Sequence, residues 1–291
     1  MNKSDFELSA IIPVTNMAGK LDCFRKTVEA VGHYGIFLVV VHDWRDQGTE
    51  DELLRILSIL DEGRFRFISG IYGSPGEARN RGIKEVSSTW VTFWDSDDSP
   101  NVGNIAKAVQ ESSKKYEVLM GDFSTNNHKT KERIEYCLGI DWRNSVSRNP
   151  GLWRMIFQTN SIDKLRFSNL LMAEDQLFLV QYRLFDRFVL VCNSVFYDYQ
   201  ISQIGQATSS KKALEDLTRS VVFTRVEISN ISSEFGTNYQ TLFVKQALTG
   251  LKKLKALKKV EVLWCLLQFL GTLRLNQVIQ IMKRILGSNG K

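Results

Sequence analysis

The sequence is poor in cysteine, histidine and proline, with four, three and four residues of each type among 291. The cysteines lie far apart, and no pair has the spacing of a zinc site or of a disulfide framework. We therefore expect reduced thiols in a cytoplasmic protein. The N-terminal stretch MNKSDFELSA is polar and leads directly into an apolar run, so no export signal is expected. An apolar share of 43% is ordinary for a globular protein and argues against wholesale disorder.

Residues 241–291 almost lack acidic side chains and contain no long apolar run. They hold eight lysines and two arginines against the single acid Glu261, a net charge of +9, whereas residues 1–240 carry −3. The most apolar part, VLWCLLQFLGTL, has about 12 residues, which is short of the roughly 20 that a membrane-spanning helix needs. The basic character of the chain therefore belongs to a C-terminal segment that is too short to cross a bilayer.

In residues 245–286 the basic side chains alternate with leucine, valine and isoleucine at roughly helical spacing. A basic segment interleaved in this way is not typical of nucleic-acid binding, and we expect no nucleic acid partner. A lysine-rich amphipathic helix suits an anionic membrane surface, which predicts peripheral attachment at the inner face of the cell membrane. The alternative is a pair of helices that pack on the domain or on another subunit.

The first 125 residues alternate between strand-like and helix-like patterns. Apolar runs rich in β-branched residues predict strands at 9–14, 36–43, 64–70, 90–94 and 116–123. Helical patterns lie between them, and the fourth, at about 101–114, is expected to begin with Ser99 as N-cap and Pro100 in its first turn. Strand–helix–strand alternation predicts a doubly wound, mostly parallel α/β sheet.

Beyond residue 140 the alternation weakens. A helical pattern at 174–185 and a strand-like run at 189–199 are followed, after about residue 210, by sequence that is helical in character throughout. We predict an α/β domain over residues 1–210 and a basic, amphipathic helical extension over residues 211–291.

Polar residues follow three of the predicted strands, at Pro13–Asn16, at Asp43 and at Asp95–Asp98. The carboxyl ends of parallel strands are where such sheets bind ligands. In extended backbone the side chains at i and i+2 point the same way, so we expect Asp95 and Asp97 to face one site and Asp98 the opposite side. Two convergent carboxylates suit Mg²⁺ or Mn²⁺, with open coordination positions for an anionic ligand such as a diphosphate. The alternative is a solvated acidic turn.

The stretch GSPGEARNRGIKEVSSTWVTFWDSDDSP, residues 73–100, resembles the family-two inverting glycosyltransferases of the GT-A fold. The family pattern falls on Ala78-Arg79-Asn80, on Gly82-Ile83 and on Asp95-Ser96-Asp97-Asp98. The family's first strand ends in Pro-x-Tyr-Asn, which Pro13-Val14-Thr15-Asn16 matches except that Thr15 replaces the aromatic residue. The resemblance extends from residue 8 to about residue 200.

The resemblance implies a GT-A fold, that is, a Rossmann-like, mostly parallel sheet flanked by helices, and a nucleotide-diphospho-sugar donor, in particular a UDP-sugar. The donor-binding residues that it implies are Pro13, Val14, Thr15, Asp43, Arg79, Asp95 and Ser96. A Mg²⁺ or Mn²⁺ ion would be held by Asp95 and Asp97. A histidine metal ligand after the last strand, frequent in relatives, is absent from this sequence. Alternative readings remain: Arg79 as a surface arginine and Asp43 as a turn residue.

An inverting transfer requires a base that removes a proton from the acceptor hydroxyl. The resemblance assigns this role to Asp175, the second acid of the Glu174-Asp175 pair; otherwise both acids only complement the dipole at a helix start. The acceptor expected is a glycan or a lipid-linked saccharide, as in surface polysaccharide or lipopolysaccharide assembly. Two other functions stay open, namely a sugar nucleotidyltransferase and a non-catalytic, membrane-associated assembly factor.

Overall fold

The computed structural model of the chain describes residues 6–44, 48–201, 211–254 and 256–286. The domain boundary predicted near residue 210 lies outside these residues. The strands are β1 (Leu8–Val14), β2 (Ile36–Asp43), β3 (Phe65–Gly70), β4 (Trp90–Phe93), β5 (Ser99–Pro100), β6 (Val118–Asn127), β7 (Arg133–Tyr136), β8 (Met155–Gln158) and β9 (Val189–Ile201). The helices are α1 (Leu21–Gly32), α2 (Glu50–Leu57), α3 (Pro75–Ile83), α4 (Val102–Glu111), α5 (Trp142–Arg148), α6 (Glu174–Gln181), α7 (Lys211–Ser229), α8 (Gly236–Lys253), α9 (Ala256–Leu270) and α10 (Leu275–Leu286).

The strands form one sheet in the order β3-β2-β1-β4-β8-β6-β9-β5, with β7 paired to β6. Strands β3, β2, β1 and β4 run parallel to their neighbours. Strand β8 is antiparallel to both β4 and β6, and β6 and β9 are again parallel. The predicted α/β sheet with flanking helices and a helical C-terminal region is confirmed.

Burial explains why the central strands are continuous apolar runs. Every residue of β2 is buried, because helices cover both faces of a parallel sheet. On α3, Gly82 allows the helix to approach β1 closely: a Cβ at this position would lie 2.5 Å from Ile11 Cγ2. The helix that carries the Ala-Arg-Asn motif is therefore pressed against the first strand.

The predicted start of α4 is wrong. Ser99 and Pro100 form β5, which pairs with β9 at Asp198 and Tyr197. The helix begins after Asn101, whose side chain accepts a 3.1 Å hydrogen bond from the backbone N–H of Asn104. A proline can occupy an edge strand as readily as a first helical turn, so the dipeptide alone does not distinguish the two.

The chain divides into two compact units. The first comprises Met1–Gly139, Leu152–Asn169 and Arg187–Gln206, and the second comprises Ile140–Gly151, Leu170–Asp186 and Ala207–Lys291. The second unit therefore combines the C-terminal helices with α5 and α6. Within it, Tyr239 on α8 donates a 3.0 Å hydrogen bond to Asp186, and Phe243 packs against Phe269 at 4.5 Å between ring centroids. Among the helices that the structure describes, none combines the length and the apolar character needed to cross a bilayer.

Candidate active site

Three neighbouring parallel strands end at the same edge of the sheet. Strands β2, β1 and β4 are adjacent, and they end at Asp43, Val14 and Phe93 respectively. Because parallel strands present their carboxyl ends to one edge, the polar residues that follow them lie on that edge. The structure agrees here with the placement predicted from the strand–helix alternation.

Asp43 is buried at the end of β2 and holds the loop that precedes α3. Its Oδ2 atom accepts a 3.1 Å hydrogen bond from the backbone N–H of Gly73. Gly73 has a φ of +81°, a left-handed conformation that glycine adopts without strain. Asp43 is therefore more than an exposed turn residue, because it connects β2 to the entrance of the motif-bearing helix.

Arg79 is buried on α3 and pairs with the acidic segment. Its Nη2 atom donates a 2.7 Å hydrogen bond to Asp95 Oδ1, and its guanidinium carbon lies 5.5 Å from the centroid of the Phe167 ring. Only 5% of Arg79 is exposed, so the alternative hypothesis that Arg79 is a surface arginine is wrong. The side chain of Asp95 keeps 31% of its surface exposed, which leaves it accessible to a ligand.

The three aspartates lie in a turn, not in an extended strand. Strand β4 ends at Phe93, and the backbone N–H of Asp98 donates to the carbonyl oxygen of Asp95 at 3.4 Å. The inference that strand alternation sets the directions of these side chains is therefore wrong, because the strand stops before the first of them. Asp98 is buried, and its Oδ1 atom accepts a 2.7 Å hydrogen bond from the backbone N–H of Gln200.

Burial and the neighbouring carboxylates raise the pKa values of Asp97 and Asp98. Burial raises the pKa of Asp97, and the nearby charge of Asp95 raises it further, while Lys20 opposes the shift. Burial also raises the pKa of Asp98 well above its ordinary value, and Asp95 and Asp97 add to this effect. The turn thus favours positive charge in its neighbourhood. The protein supplies two cations there, Arg79 beside Asp95 and Lys20, whose Nζ atom lies 3.7 Å from Asp97 Oδ2.

Strand β9 carries two residues that form hydrogen bonds with the acidic turn, a contact that was not predicted from the sequence. The hydroxyl of Tyr197 accepts a 2.9 Å hydrogen bond from the backbone N–H of Asp95. Tyr197 is fully buried, and its ring stacks on Trp153 with 4.6 Å between centroids. Burial raises the pKa of Tyr197 well above its ordinary value, so this hydroxyl stays protonated. Tyr197 and Gln200 together fix both ends of the turn.

The remaining predicted residues differ in their surroundings. At the end of β1, Pro13 is half-buried, Val14 is buried and Thr15 is exposed, and Ser96 is buried within the acidic turn. Asp175 belongs to the second compact unit, in the first turn of α6, where its Oδ1 atom accepts a 2.8 Å hydrogen bond from the backbone N–H of Gln176. Asp175 is half-buried.

The acidic turn provides two carboxylates for a divalent ion. In the described part of the chain, no group of three or more His, Cys, Asp or Glu side chains is arranged to hold a metal. Asp98 is buried and accepts a hydrogen bond from Gln200, whereas Asp95 and Asp97 are partly exposed, so these two remain as hard oxygen donors that repel each other. These residues fit an ion that completes its coordination with the phosphate oxygens of a ligand, as Mg²⁺ commonly does.

The parallel β3-β2-β1-β4 core with an acidic turn at its carboxyl edge matches the α/β fold of the GT-A class. The family model described as Glycosyl transferase family 2 matches residues 9–186, and the chain belongs to that family. The protein is therefore a glycosyltransferase.

Solved structures share the fold. S. aureus TarS 1–349 in complex with UDP-GlcNAc matches with a TM-score of 0.74 and 18% identity, over 96% of this chain and 85% of that chain. The same fragment in complex with UDP matches with a TM-score of 0.61 and 17% identity, over 96% of this chain and 79% of that chain. The mannosyltransferase PcManGT from Pyrobaculum calidifontis, in complex with GDP-Man and Mn²⁺, matches with a TM-score of 0.55 and 10% identity, over 97% of this chain and 80% of that chain. The TM-scores show a common fold, and at identities this low they show the fold alone. A sequence search among curated proteins finds no match.

Proposed function

We propose that the protein is a metal-dependent, inverting glycosyltransferase that moves a sugar from a UDP-sugar to a hydroxyl of a glycan or of a lipid-linked saccharide. The observation that carries the proposal is the ion pair between buried Arg79 and partly exposed Asp95, with 2.7 Å between Nη2 and Oδ1, at the carboxyl edge of the parallel strands. It joins the motif helix to the acidic turn where a donor diphosphate would bind. Family membership favours glycosyl transfer over nucleotidyl transfer.

The donor nucleotide would lie along the ends of β1 and β2. The carboxylate of Asp43, which accepts a hydrogen bond from Gly73, would also accept one from ring N3–H of uracil, because a carboxylate can accept several hydrogen bonds. Pro13, Val14 and Thr15 would line the nucleotide on the neighbouring strand, and Ser96 would contact the donor from the acidic turn. UDP is the nucleotide bound in the TarS structures, which supports this choice.

The leaving diphosphate gains negative charge as the glycosidic bond breaks. Asp95 and Asp97 would hold Mg²⁺ or Mn²⁺, and a bound divalent ion supplies Lewis-acid stabilisation of that charge. Arg79 and Lys20 add two fixed positive charges at the same turn. Because these side chains are buried or nearly so, their fields are less screened than those of exposed residues.

We assign the general base to Asp175. Its position at the start of α6 leaves the carboxylate half-buried, and a carboxylate in reach of the acceptor hydroxyl can take its proton during attack. Attack from the face opposite the diphosphate inverts the anomeric centre. The acceptor would be a saccharide carried on a lipid, with the protein at the inner face of the cell membrane, as in surface polysaccharide assembly.

A thermal-shift screen of nucleotide sugars, with and without Mn²⁺, tests the donor site. A UDP-sugar should raise the melting temperature, because a ligand that binds only the folded state stabilises it. Asp97→Asn should remove the Mn²⁺-dependent part of the shift, whereas Asp61→Asn, at an exposed turn, should keep it. The absence of a shift with every donor, or an unchanged shift in Asp97→Asn, would contradict the proposal.

Asp175→Asn tests the base separately from the donor site. The amide cannot accept the proton, so transfer should fall by about a hundredfold or more while the donor-induced thermal shift is retained. The anomeric configuration of the product, read by NMR, tests inversion. Full activity in Asp175→Asn would eliminate this residue as the base.

A further inference from the structure

Helix α9 carries two apolar stripes, and the residues that the structure describes cover only one of them. Val262, Cys265, Leu266 and Phe269 are buried and face the helices of the second unit. Val260, Leu263, Trp264 and Leu267 are exposed, with Trp264 63% exposed. Both sets have the spacing i, i+3, i+4 and i+7, so each lies along one side of the helix, and the two sides are opposite.

The buried stripe accounts for the packing of α9. Phe269 of this stripe packs against Phe243 of α8, and the neighbouring Gln268, outside the stripe, accepts a hydrogen bond from Arg225 of α7. The exposed stripe is therefore not required to hold the helix in place. Four apolar side chains remain on its outer face, including a tryptophan.

Helix α10 has one buried apolar side chain and one exposed apolar stripe. Ile281 is fully buried, and Arg148 of α5 donates a 3.1 Å hydrogen bond to the carbonyl oxygen of Arg284. An exposed stripe runs along the helix at the spacing i, i+4, i+7 and i+11; it consists of Leu275, Ile279, Met282 and Leu286. These two helices together expose eight large apolar side chains. We refer to the two stripes as the apolar face of α9 and α10.

The charges on these two helices are predominantly positive. Lys259 and Lys283 are exposed on the same helices, and Arg274 is exposed in the connection between them. Glu261 is the only acidic residue between positions 241 and 291, and it pairs with Lys258 at 3.2 Å. Interfaces between protein copies are depleted in lysine, and two copies of this face would repel each other. An anionic surface would instead attract this positively charged face.

We propose that the apolar face of α9 and α10 is a membrane-docking surface. Trp264 and its aliphatic neighbours insert among the headgroups of an anionic bilayer, and the surrounding lysines contact the lipid phosphates. The inference bears on the lipid-linked acceptor proposed above. Vesicle binding requires neither donor nor acceptor, so either proposal can fail while the other stands.

Flotation of the full chain with vesicles tests the surface. The vesicles contain either phosphatidylcholine alone or equal parts phosphatidylcholine and phosphatidylglycerol. Wild-type protein should float with the anionic vesicles only, and added salt should release it because the attraction is partly electrostatic. Donor-induced thermal shifts are measured on the same samples as a check of the donor site.

Matched variants separate this face from other exposed apolar and basic groups. The combined change Leu263→Gln, Trp264→Gln and Leu267→Gln should weaken vesicle binding by about a hundredfold. The control Ile134→Gln, Ile140→Gln and Phe188→Gln removes three exposed apolar side chains elsewhere and should float as wild type. Lys259→Gln with Lys283→Gln should weaken binding about tenfold or more, whereas Lys107→Gln with Lys114→Gln should not.

Brominated lipids provide a readout that does not depend on multiple substitutions. Bromine in the acyl chains quenches tryptophan that enters the bilayer, so wild-type fluorescence should fall on binding and that of Trp264→Phe should not. Three results would each overturn the proposal: wild-type protein that fails to float with anionic vesicles, equal quenching in Trp264→Phe, or a dimer in light scattering that the triple α9 variant abolishes.

Discussion

Lys20 Nζ lies 3.7 Å from Asp97 Oδ2, so the chain itself places a cation at the acidic turn. Arg79 places a second beside Asp95. Lys20 is almost fully buried at the start of α1. In the absence of a donor, these two side chains reduce the repulsion among carboxylates that the turn brings together. A divalent ion that binds Asp97 must therefore share this carboxylate with Lys20.

Lys20→Met should increase the affinity of the turn for Mn²⁺. The substitution keeps an apolar side chain of similar length and removes the charge that competes for Asp97, which corresponds to about a fivefold change if the pair contributes about 1 kcal/mol. Titration followed by electron paramagnetic resonance of free Mn²⁺ measures the affinity directly. Lys107→Met, an exposed lysine on α4, is the control. An affinity equal to or below that of wild type would show that Lys20 does not compete with the metal.

Tyr197→Phe should loosen the acidic turn. The substitution removes the acceptor for the backbone N–H of Asp95 while keeping the ring that stacks on Trp153. An unpaired, partly buried N–H costs about 1–3 kcal/mol, which should appear in urea unfolding. Tyr136→Phe changes another tyrosine of the same aromatic cluster, stacked on Phe123 at 4.5 Å, and should cost less than about 0.5 kcal/mol. Equal losses in both variants would argue against a specific role of the Tyr197 hydroxyl.

The parts of the fold that could be predicted are those with strong local patterns. Strand β2 was predicted at residues 36–43 and is found at Ile36–Asp43, because a fully buried parallel strand is a continuous apolar run. Strand β8, Met155–Gln158, was missed. It has four residues, and its partners β4 and β6 are distant in sequence, so only the assembled sheet identifies it as a strand.

The candidate site shows the same limit. The aspartates and Arg79 stand in a recognisable motif, and the structure brings Arg79 and Asp95 together. Lys20 and Tyr197 are distant from the motif in sequence and belong to no pattern, so nothing local indicated that they contact the acidic turn. The extended geometry assumed for Asp95–Asp98 failed because a strand can end at any residue of a short apolar run, and β4 ends at Phe93.

Gly82→Ala should destabilise the first unit. The added methyl group would lie 2.5 Å from Ile11 Cγ2, and overpacking of this kind costs about 1–3 kcal/mol. The free energy of unfolding in urea measures the loss. At Gly32, the last residue of α1, a methyl group would meet only Leu60 Cδ2 at 3.6 Å, so Gly32→Ala should be neutral or stabilising. Ile11→Ala should suppress part of the Gly82→Ala defect; if the two losses add, the contact is not the cause.

Ser220→Ala tests whether the C-terminal helices position the proposed base. Ser220 Oγ on α7 donates a 3.0 Å hydrogen bond to the carbonyl oxygen of Ala173 and accepts a 2.8 Å bond from Gln246 of α8. Ala173 has a φ of +62° and directly precedes α6, so this contact fixes the entrance of the helix that carries Asp175. A non-glycine residue in this conformation is strained and depends on its surroundings.

Removal of the Ser220 hydroxyl should lower kcat about tenfold, because the base loses its fixed orientation, and should leave the donor-induced thermal shift unchanged. The free energy of unfolding should fall by about 1–2 kcal/mol. Ser229→Ala, on the same helix, removes a hydroxyl whose hydrogen bond among the described residues stays within the helix, at 2.7 Å to the carbonyl oxygen of Val226, and should alter neither quantity appreciably. A variant with reduced stability and full kcat would show that α7 stabilises α6 without positioning Asp175 for catalysis.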